Sequence, residues 1–376
     1  MGLPTEESFY VPAEVLGMYH EAGRRGSTTR EEWEAQLGAS LGDHAAEWRA
    51  TQERSGLPGW REALPSFAPG ESIATRVALT KVLSALTDSV PGLVAGGADL
   101  TGNTGTALKG QTALSPEHPE GRQIHFGIRE HAMGATMNGM ALHGGLVPAG
   151  GTFLVFSDYM RPAVRLAALM GTKVLFAWSH DSVGVGEDGP THQPVEQVAA
   201  LRAIPQLPVV RPADANECAA AVEAFLDGSG PMALIMSRQN LPVLESTSTE
   251  GFHRGAYTLR EVDGAVLTLV ATGSEVAVAL AAADLLAADG TPARVVSMPC
   301  WEWFEAQTQA YRDQVLPVSM PTLAVEAQVG FGWHRWAQDV VSIDRFGASA
   351  PGEKVLTELG ITPEHVAARG RALLAT

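Results

Sequence analysis

The feature that most constrains the fold is the alternation of short apolar runs with helical segments rich in alanine and leucine. Two such runs, 93–100 and 266–274, each end in a turn of small residues. Strands that alternate with helices favour parallel sheets covered on both faces. The sequence therefore predicts an α/β fold of two doubly wound, mostly parallel-sheet domains. Further strands are predicted at 174–178, 207–211, 232–237, 294–298 and 322–326, and helices at 72–87 and 275–289.

Changes in composition suggest the domain boundaries. The first 70 residues are rich in charge, tryptophan and glycine, with a helical stretch from Thr28 to Ser55, and residues 1–70 are predicted to form a linker that wraps a domain. The first α/β domain is placed at 71–245 and the second at 255–376. A chain of 376 residues with 45% hydrophobic content can bury more than one core.

Charge and cysteine content exclude several functional classes. The net charge of −16 opposes nucleic-acid binding, so any anionic substrate must meet a local basic cluster. No run of about 18 apolar residues and no signal peptide is seen, which predicts a cytoplasmic protein without a membrane span. The two cysteines, Cys218 and Cys300, form no CxxC pair, so they are predicted to be structural thiols rather than disulfide partners or metal ligands.

The segment Gly186–Gln197 combines acidic side chains, an imidazole and two glycines between an apparent strand and a helix. Just upstream, Ser179–Ser182 follows the strand 174–178 at its carboxyl end, where open α/β sheets bind ligands. Downstream, Thr191–Pro194 is predicted to open a helix that runs to Ile204 and whose amide groups favour anions. We interpret the segment as an active-site loop. The alternative is an ordinary strand-to-helix connection with a polar cap.

A carboxylate, Glu130, lies where an apolar strand meets a helix rich in alanine and glycine. A carboxylate with limited access to water suits proton exchange with a nitrogen base. Glu130 is therefore a candidate catalytic residue. The alternative is a salt bridge to Arg129, or a charge at the start of a helix.

Three aromatic residues, Phe153, Phe156 and Tyr159, occupy every third position of one segment. Aromatic residues make up only 6% of the chain, so the clustering is notable. Such rings can enclose a flat heterocycle, although an aromatic stripe can equally belong to the core. Pro162 fits near the first turn of a helix, which places the aromatic run before or at the start of that helix.

Together these segments make the chain resemble transketolase. The resemblance extends from Phe9 to Leu374 and corresponds to the carboxyl-terminal part of that enzyme, namely the linker, the pyrimidine-binding domain and the carboxyl-terminal domain. The sequence shows no counterpart of the amino-terminal pyrophosphate-binding domain, which in the family holds a divalent metal and the cofactor diphosphate. Matching runs, in the family's order, are 125–133 (HFGIREHAM), 151–170, 179–202, 237–243 (SRQNLPV), 271–276 and 295–299.

The resemblance implies that thiamine diphosphate binds between the pyrimidine-binding domain of one subunit and the pyrophosphate-binding domain of another, in a homodimer. This chain would then carry half of the site and no metal ligand, and the contacts to Mg²⁺ or Ca²⁺ are expected from the missing domain. Glu130 matches the glutamate that hydrogen-bonds the aminopyrimidine ring and promotes removal of the thiazolium C2 proton. Further matches to cofactor-binding positions are Asp99, Leu100, Phe153, Phe156 and Tyr159.

The resemblance also implies a set of substrate-binding residues. Asp188 matches a residue that contacts a sugar hydroxyl, and His192 one near the reacting hydroxyls of the donor. Three side chains that can carry positive charge match the phosphate-binding group, namely Arg76, His180 and Arg238. His180 and His192 join Glu130 as candidate catalytic residues. Asn103 stands where the family has a serine that helps to hold the sugar phosphate, which puts phosphate affinity or substrate preference in doubt. Taken singly, the arginines could be surface or ion-pair residues and the histidines structural.

The activity implied is transfer of a two-carbon ketol unit from a ketose phosphate to an aldose phosphate, with the isolated chain inactive. Completion would come from a partner subunit or from the rest of a longer enzyme. Deoxyxylulose-phosphate synthase and the beta subunit of pyruvate dehydrogenase share the domain arrangement, but the runs 186–197 and 237–240 favour transketolase over both. Dihydroxyacetone synthase would look similar. A module that binds sugar phosphates or a partner without catalysis is the alternative from another class.

Overall fold

The computed structural model describes residue 4 and residues 6–375, and the chain divides into two compact units between Arg49 and Ala50. The first unit contains the long helix α1 (Ala13–Ser40), none of whose residues is buried, and the start of α2 (Ala45–Glu53). The predicted helix from Thr28 to Ser55 is therefore two helices, and the first begins well upstream. Several glycines lower the helix propensity of that upstream part. Gly42, at φ +44, ends the first helix because that conformation suits glycine.

The second unit contains two large sheets with flanking helices. Its helices are α3 (Thr75–Ala85), α4 (Glu130–His143), α5 (Ser157–Met170), α6 (Gln197–Arg202), α7 (Ala215–Asp227), α8 (Thr249–His253), α9 (Glu275–Ala288), α10 (Trp301–Glu305), α11 (Gln309–Val315), α12 (Gly352–Glu358) and α13 (Pro363–Leu374). Its strands are β1 (Ser72–Ile73), β2 (Leu93–Gly97), β3 (Gln123–His125), β4 (Val147–Phe153), β5 (Leu175–Ser179), β6 (Val209–Val210), β7 (Met232–Met236), β8 (Leu241–Pro242), β9 (Tyr257–Arg260), β10 (Leu267–Ala271), β11 (Ala293–Ser297), β12 (Thr322–Val325) and β13 (Asp339–Val341).

The first large sheet has six parallel strands in the order β3-β2-β4-β5-β7-β6. Side chains of β5 alternate between the two faces, as the period of a strand requires. Leu175 and Ala177 join the core that includes α3 and α7, whereas Phe176 and Trp178 join the core that includes α4 and α5. Burial on both faces explains why this strand reads as a continuous apolar run.

The second large sheet has five strands in the order β13-β12-β10-β11-β9. All neighbours are parallel except the edge strand β9, which runs antiparallel to β11. The predicted α/β class with mostly parallel sheets is thus confirmed. Strands β9 and β13 were not predicted. Both are short edge strands of three or four residues, and β9 alternates buried and half-buried residues, so neither forms a long apolar run.

The helix predicted to open at Thr191–Pro194 is wrong in its start and its end. Helix α6 begins at Gln197 and stops at Arg202, whereas residues 191–192 form a turn and residues 193–194 have no regular structure. The carbonyls of Pro194 and Val195 accept hydrogen bonds from Gln328 and Val329 of the second sheet's domain. These tertiary contacts hold the backbone outside a helix, so no helix terminus is available there for an anion.

Both cysteines are buried and unpaired. Burial raises the pKa of the Cys218 and Cys300 thiols, with the nearby carboxylates of Asp214 and Glu302 acting in the same direction. Inert, buried thiols of this kind agree with a structural role. Within residues 4 and 6–375, no helix is both long and apolar enough to span a bilayer.

A buried carboxyl group, that of Glu217, connects α7 to the second sheet. Its Oε1 accepts hydrogen bonds from the Tyr257 hydroxyl at 2.9 Å and the Ser297 hydroxyl at 2.7 Å, and its Oε2 accepts one from the Ala213 amide at 2.7 Å. Burial, reinforced by the negative charge of Asp214, raises the pKa of Glu217 to about 7. This group therefore changes its protonation near neutral pH.

We expect the stability of the chain to fall as pH rises from about 5 to about 8, in part because of Glu217. A folded-state pKa above the ordinary value means that the folded chain binds the proton more tightly than the unfolded chain. The resulting stabilisation is complete below the ordinary pKa and is lost as pH rises through about 7. Glu217→Gln should reduce this slope in melting temperature, whereas the exposed control Glu358→Gln should not. Equal slopes in all three proteins would contradict the assignment.

Candidate active site

The candidate site lies at the carboxyl ends of central strands of the six-stranded sheet. Asp99 and Leu100 follow β2, Phe153 ends β4, and His180 follows β5. Asp99 and His180 adopt left-handed backbone conformations, at φ +63 and φ +62. Non-glycine residues take up this conformation at a cost, and such strain gathers at functional sites. Two strained residues at one sheet edge mark this edge as the candidate site.

A cavity of about 470 Å³ opens at this edge. Five of the predicted cofactor residues line it, namely Asp99, Leu100, Glu130, Phe156 and Tyr159. Ala98 and Ile128 complete the lining. Phe153, the sixth, lies outside this lining and is almost fully buried. Its ring stacks on that of Phe156, with centroids 5.9 Å apart, so it supports the wall from the side.

Glu130 is the first residue of α4 and is half-buried. The Arg129 guanidinium donates to the Phe126 carbonyl at 3.1 Å, and the described residues include no ion pair between Arg129 and Glu130. The alternative of a salt bridge between these neighbours is therefore not supported. Glu130 does lie at a helix start, as the other alternative proposed, and the amino terminus of a helix favours a carboxylate. The start of α4 therefore places the Glu130 carboxylate in the wall of the cavity.

The aromatic run crosses a change in backbone structure. Phe153 ends β4, Phe156 lies in a 3₁₀ turn, and Tyr159 is the third residue of α5. Pro162 lies inside α5, which corrects the expectation that it would occupy the first turn. The helix begins at Ser157 because the 3₁₀ turn Leu154–Phe156 leads directly into it. The run is thus a wall built from three successive elements.

A basic group lies on the other side of Phe153. The Arg76 side chain, on α3, donates to the Arg238 carbonyl at 3.4 Å and to the Asn103 side-chain oxygen at 3.4 Å. Burial and the nearby positive charge of Arg238 lower the pKa of Arg76. Neither guanidinium pairs with a carboxylate within the described residues. In a chain of net charge −16, two adjacent cations without acidic partners are suited to an anionic ligand.

His180 stacks on Phe153 with ring centroids 3.6 Å apart. The Ser179 hydroxyl donates to the Asn103 carbonyl at 2.9 Å, so it must accept from His180 Nδ1, which lies 2.8 Å away. This arrangement leaves Nε2 as a hydrogen-bond acceptor. Burial, followed by the charges of Arg76 and Arg238 and by His192, lowers the pKa of His180 to about 3. His180 is therefore neutral, which corrects the expectation of a third cation in the phosphate group.

His192 lies between the aromatic wall and the basic group. Its ring meets Phe156 edge-on at a centroid distance of 5.4 Å, and its Nδ1 is 2.9 Å from the Thr191 hydroxyl. Asp188 is exposed on the same loop, and its side chain makes no hydrogen bond or ion pair with another described residue. The structure thus brings together all of the predicted site residues except Asp188. Asp188 lies four residues before His192, but its side chain makes no hydrogen bond or ion pair with the other predicted site residues.

Three residues described above, Ala98, Ile128 and Ser179, were not predicted as site residues. Ile128 lines the cavity although its side chain is 77% exposed, and Ser179 orients His180. All three lie in the runs 93–100, 125–133 and 179–202, so their position in those runs was the available signal. An apolar side chain at an open wall cannot be told from an ordinary surface residue by composition.

Comparison with known proteins places the chain in a family. The family profile "Transketolase, pyrimidine binding domain" matches residues 71–243, and "Transketolase-like TK C-terminal domain" matches residues 255–362. A transketolase from Halalkalibacterium halodurans is 46% identical over 381 residues, which cover 98% of this chain and 57% of that protein. The chain thus spans little more than half the length of this relative.

Solved structures agree with the sequence comparison. A transketolase from Pichia stipitis in complex with sedoheptulose 7-phosphate has a TM-score of 0.95 at 39% identity, covering 100% of this chain and 57% of that one. A split-gene transketolase, described as an inactive beta4 tetramer, has a TM-score of 0.67 at 26% identity, covering 81% of this chain and 99% of that one. The resemblance read from the sequence is confirmed. The chain belongs to the transketolase family, of which it carries the pyrimidine-binding and carboxyl-terminal domains.

Proposed function

We propose that this chain supplies the pyrimidine-side half of a transketolase active site, which transfers a two-carbon ketol unit from a ketose phosphate to an aldose phosphate. The observation that carries the proposal is the cavity with Glu130 at its wall, linked through Phe153 and His180 to two guanidinium groups without acidic partners. In this proposal residues 1–70 are the linker, 71–245 the pyrimidine-binding domain and 255–376 the carboxyl-terminal domain.

The cavity fits the pyrimidine end of thiamine diphosphate. Its walls are largely apolar and aromatic, and Glu130 can hydrogen-bond a ring nitrogen. The described lining contains no lysine, arginine or histidine that could neutralise a diphosphate. Within residues 4 and 6–375, no group of three or more histidine, cysteine or acidic side chains is arranged to hold a metal. We therefore assign the diphosphate and its divalent metal to a pyrophosphate-binding domain outside this chain's described residues.

The proposed roles follow from the chemistry of the side chains. Thiamine diphosphate, when bound, supplies a carbon nucleophile that takes up and releases the two-carbon unit. Glu130 holds a proton between its carboxylate and a ring nitrogen, while Phe156 and Tyr159 position the ring and exclude water. Arg76 and Arg238 bind the substrate phosphate through charge-assisted hydrogen bonds. The neutral ring of His180 can accept a hydrogen bond from a sugar hydroxyl through Nε2, and His192 presents a second imidazole to the same sugar.

The comparisons support this reading over the alternatives. The Pichia stipitis relative is described in complex with a sugar phosphate, which is the class of ligand that the arginine pair suits. The split-gene relative is described as inactive, and this chain covers nearly all of it. By analogy, we propose that the 376 residues are inactive alone and need a pyrophosphate-binding partner or domain. A module that binds sugar phosphates without catalysis is the competing outcome.

A homodimer is part of the proposal. Helices α4 and α5 pack side by side and leave leucines exposed, with 59% of Leu142, 47% of Leu166 and 68% of Leu169 accessible. An exposed apolar strip of this kind is typical of an interaction surface. Light scattering should find twice the mass of the chain, and a monomer at all concentrations tested would argue against the dimer.

The proposed function predicts a gain of activity on completion. The chain alone should bind thiamine diphosphate weakly and show no ketol transfer. When it is joined in one polypeptide to the amino-terminal part of the Halalkalibacterium halodurans transketolase, transfer from a ketose phosphate to ribose 5-phosphate should appear. Tight binding of the cofactor by the chain alone would contradict the assignment of the diphosphate contacts. A folded fusion that binds sugar phosphates but transfers nothing would support the non-catalytic module.

A further inference from the structure

We infer that Gln328, in the carboxyl-terminal domain, is a positioning residue that sets the shape of the substrate loop. The substrate loop is defined here as residues 181–197, which begin directly after His180 and carry Asp188 and His192. The inference rests on the proposed function, because it concerns the part of the site that would hold the sugar. It gives the carboxyl-terminal domain a role in substrate binding without any contact to the substrate.

Gln328 connects the two ends of the substrate loop. The residue is fully buried, three positions after β12. Its Nε2 donates to the Asp181 carbonyl at 2.6 Å and to the Pro194 carbonyl at 3.2 Å. An amide nitrogen has two hydrogens, so each carbonyl can receive one. The opposite orientation of the amide would set its oxygen against two carbonyl oxygens, which fixes the orientation.

Other polar groups of the same domain hold further parts of the loop. The Val329 amide donates to the Val195 carbonyl at 2.8 Å, and the Ser349 hydroxyl donates to the Glu187 carbonyl. Within the loop, Gln193 donates to the Gly186 carbonyl and, at 2.9 Å, to the Ala348 carbonyl. The loop is thus attached to the carboxyl-terminal domain along its length, mainly through its backbone.

The loop and this domain are in backbone contact. A Cβ atom added to Gly352 would lie 2.3 Å from the Gly184 carbonyl oxygen, and one added to Gly186 would lie 3.0 Å from the Gly352 amide nitrogen. Gly186 also has φ +90, a backbone conformation that residues other than glycine rarely adopt. While the backbone is buried here, Glu187 and Asp188 are exposed. The domain therefore acts as a template for the loop and leaves its outward side chains accessible.

The physical consequence concerns conformational entropy. Apart from a 3₁₀ turn at Val183–Val185, the substrate loop has no regular structure of its own before α6. Ordering such a segment on binding would cost conformational entropy for each residue fixed. Because Gln328 orders both ends of the loop before the substrate binds, substrate binding does not include that entropic cost. Loss of the two hydrogen bonds should therefore weaken binding of the sugar more than binding of the phosphate.

The first test measures hydrogen–deuterium exchange of the substrate loop in the chain as it exists. Gln328→Leu removes both donors and keeps a similar volume, so exchange in 181–197 should become about tenfold faster, as expected for an opening that is about 1.4 kcal/mol easier. The matched control is Gln307→Leu, which removes one side-chain hydrogen bond, to the Trp303 carbonyl, elsewhere in the same domain. Equal exchange of the loop in the two variants would overturn the inference. Should Gln328→Leu not fold, Ser349→Ala, at an exposed position, should raise exchange around Glu187.

The second test separates positioning from a general loss of structure. In Gln328→Leu the affinity for ribose 5-phosphate should fall about tenfold, while that for inorganic phosphate, held by Arg76 and Arg238, should change less than about twofold. A purely structural defect would weaken both probes equally, and that result would overturn the positioning role. Failure of the unchanged chain to bind ribose 5-phosphate would count against the proposed function, while loop exchange would still decide whether Gln328 braces the loop.

Discussion

Arg211→Met is expected to destabilise the folded chain by about 3–5 kcal/mol, because it leaves buried carboxylates without their cation. Arg211 is fully buried and pairs with Asp181 at 2.7 Å, Glu275 at 2.8 Å and Glu326 at 3.1 Å. Despite its burial, these three carboxylates raise the pKa of Arg211. Asp181 belongs to the substrate loop and the two glutamates to the carboxyl-terminal domain, so the cluster connects the two domains.

The remaining charges of the cluster could not compensate for the loss. Burial raises the pKa of Glu275 even with Arg211 present. Burial also opposes ionisation of Glu326, but Arg202 and Arg211 together lower the pKa of that carboxyl. Arg202 pairs with Glu326 at 2.8 Å, and within the part of the chain that the structure describes it makes no ion pair with Asp181 or Glu275. Removal of Arg211 would leave Asp181 and Glu275 to be protonated or exposed to water.

Urea unfolding of the unchanged chain and of Arg211→Met measures the effect as a change in the free energy of unfolding. The matched control is Arg369→Met, which removes a bidentate surface pair with Asp339, from Nη2 at 2.6 Å and from Nε at 3.0 Å. Because that pair is solvent-exposed, its loss should cost less than about 1 kcal/mol. Similar costs for the two variants would show that the buried cluster adds no more than a surface pair.

Glu130→Ala is expected to lower turnover of the completed enzyme by about 10²–10⁴-fold, the range that a general acid–base group contributes. The physical reason is loss of the carboxylate that exchanges a proton with the bound ring. The fold should survive, since Glu130 is only half-buried and makes no hydrogen bond or ion pair with other described side chains. The fusion described above supplies the enzyme for this measurement.

The control for this variant is Glu353→Ala, which removes an exposed glutamate from the first turn of another helix, α12. Turnover and melting temperature are measured together for both variants. The assigned role requires that Glu130→Ala loses turnover while both proteins melt close to the unchanged chain. Near-normal turnover in Glu130→Ala would refute it, and a large fall in melting temperature would show that the residue is structural.

Much of the fold and of the candidate site could be read from the sequence because the relevant signals are local. Buried strands such as β5 are continuous apolar runs, so their period and length identify them without tertiary information. Glu130 is the first residue of a helix and Phe156 directly precedes one, and parallel strands carry such helix starts to one sheet edge. The meeting of these residues around one cavity follows from that topology.

Tertiary structure alone decided the features that depend on residues far apart in the chain. Gln328 contacts Asp181 across 147 positions, and no local pattern predicts such a hydrogen bond. The same contacts hold Pro194 outside a helix, against a local preference for one. His180 is neutral because folding buries it beside Arg76 and Arg238, whereas a histidine considered from sequence alone could carry a positive charge. Local patterns in the chain were thus sufficient to predict the class of fold and the segments that form the site. The charge state of His180 and the shape of the substrate loop depend instead on long-range packing, which only the folded chain provides.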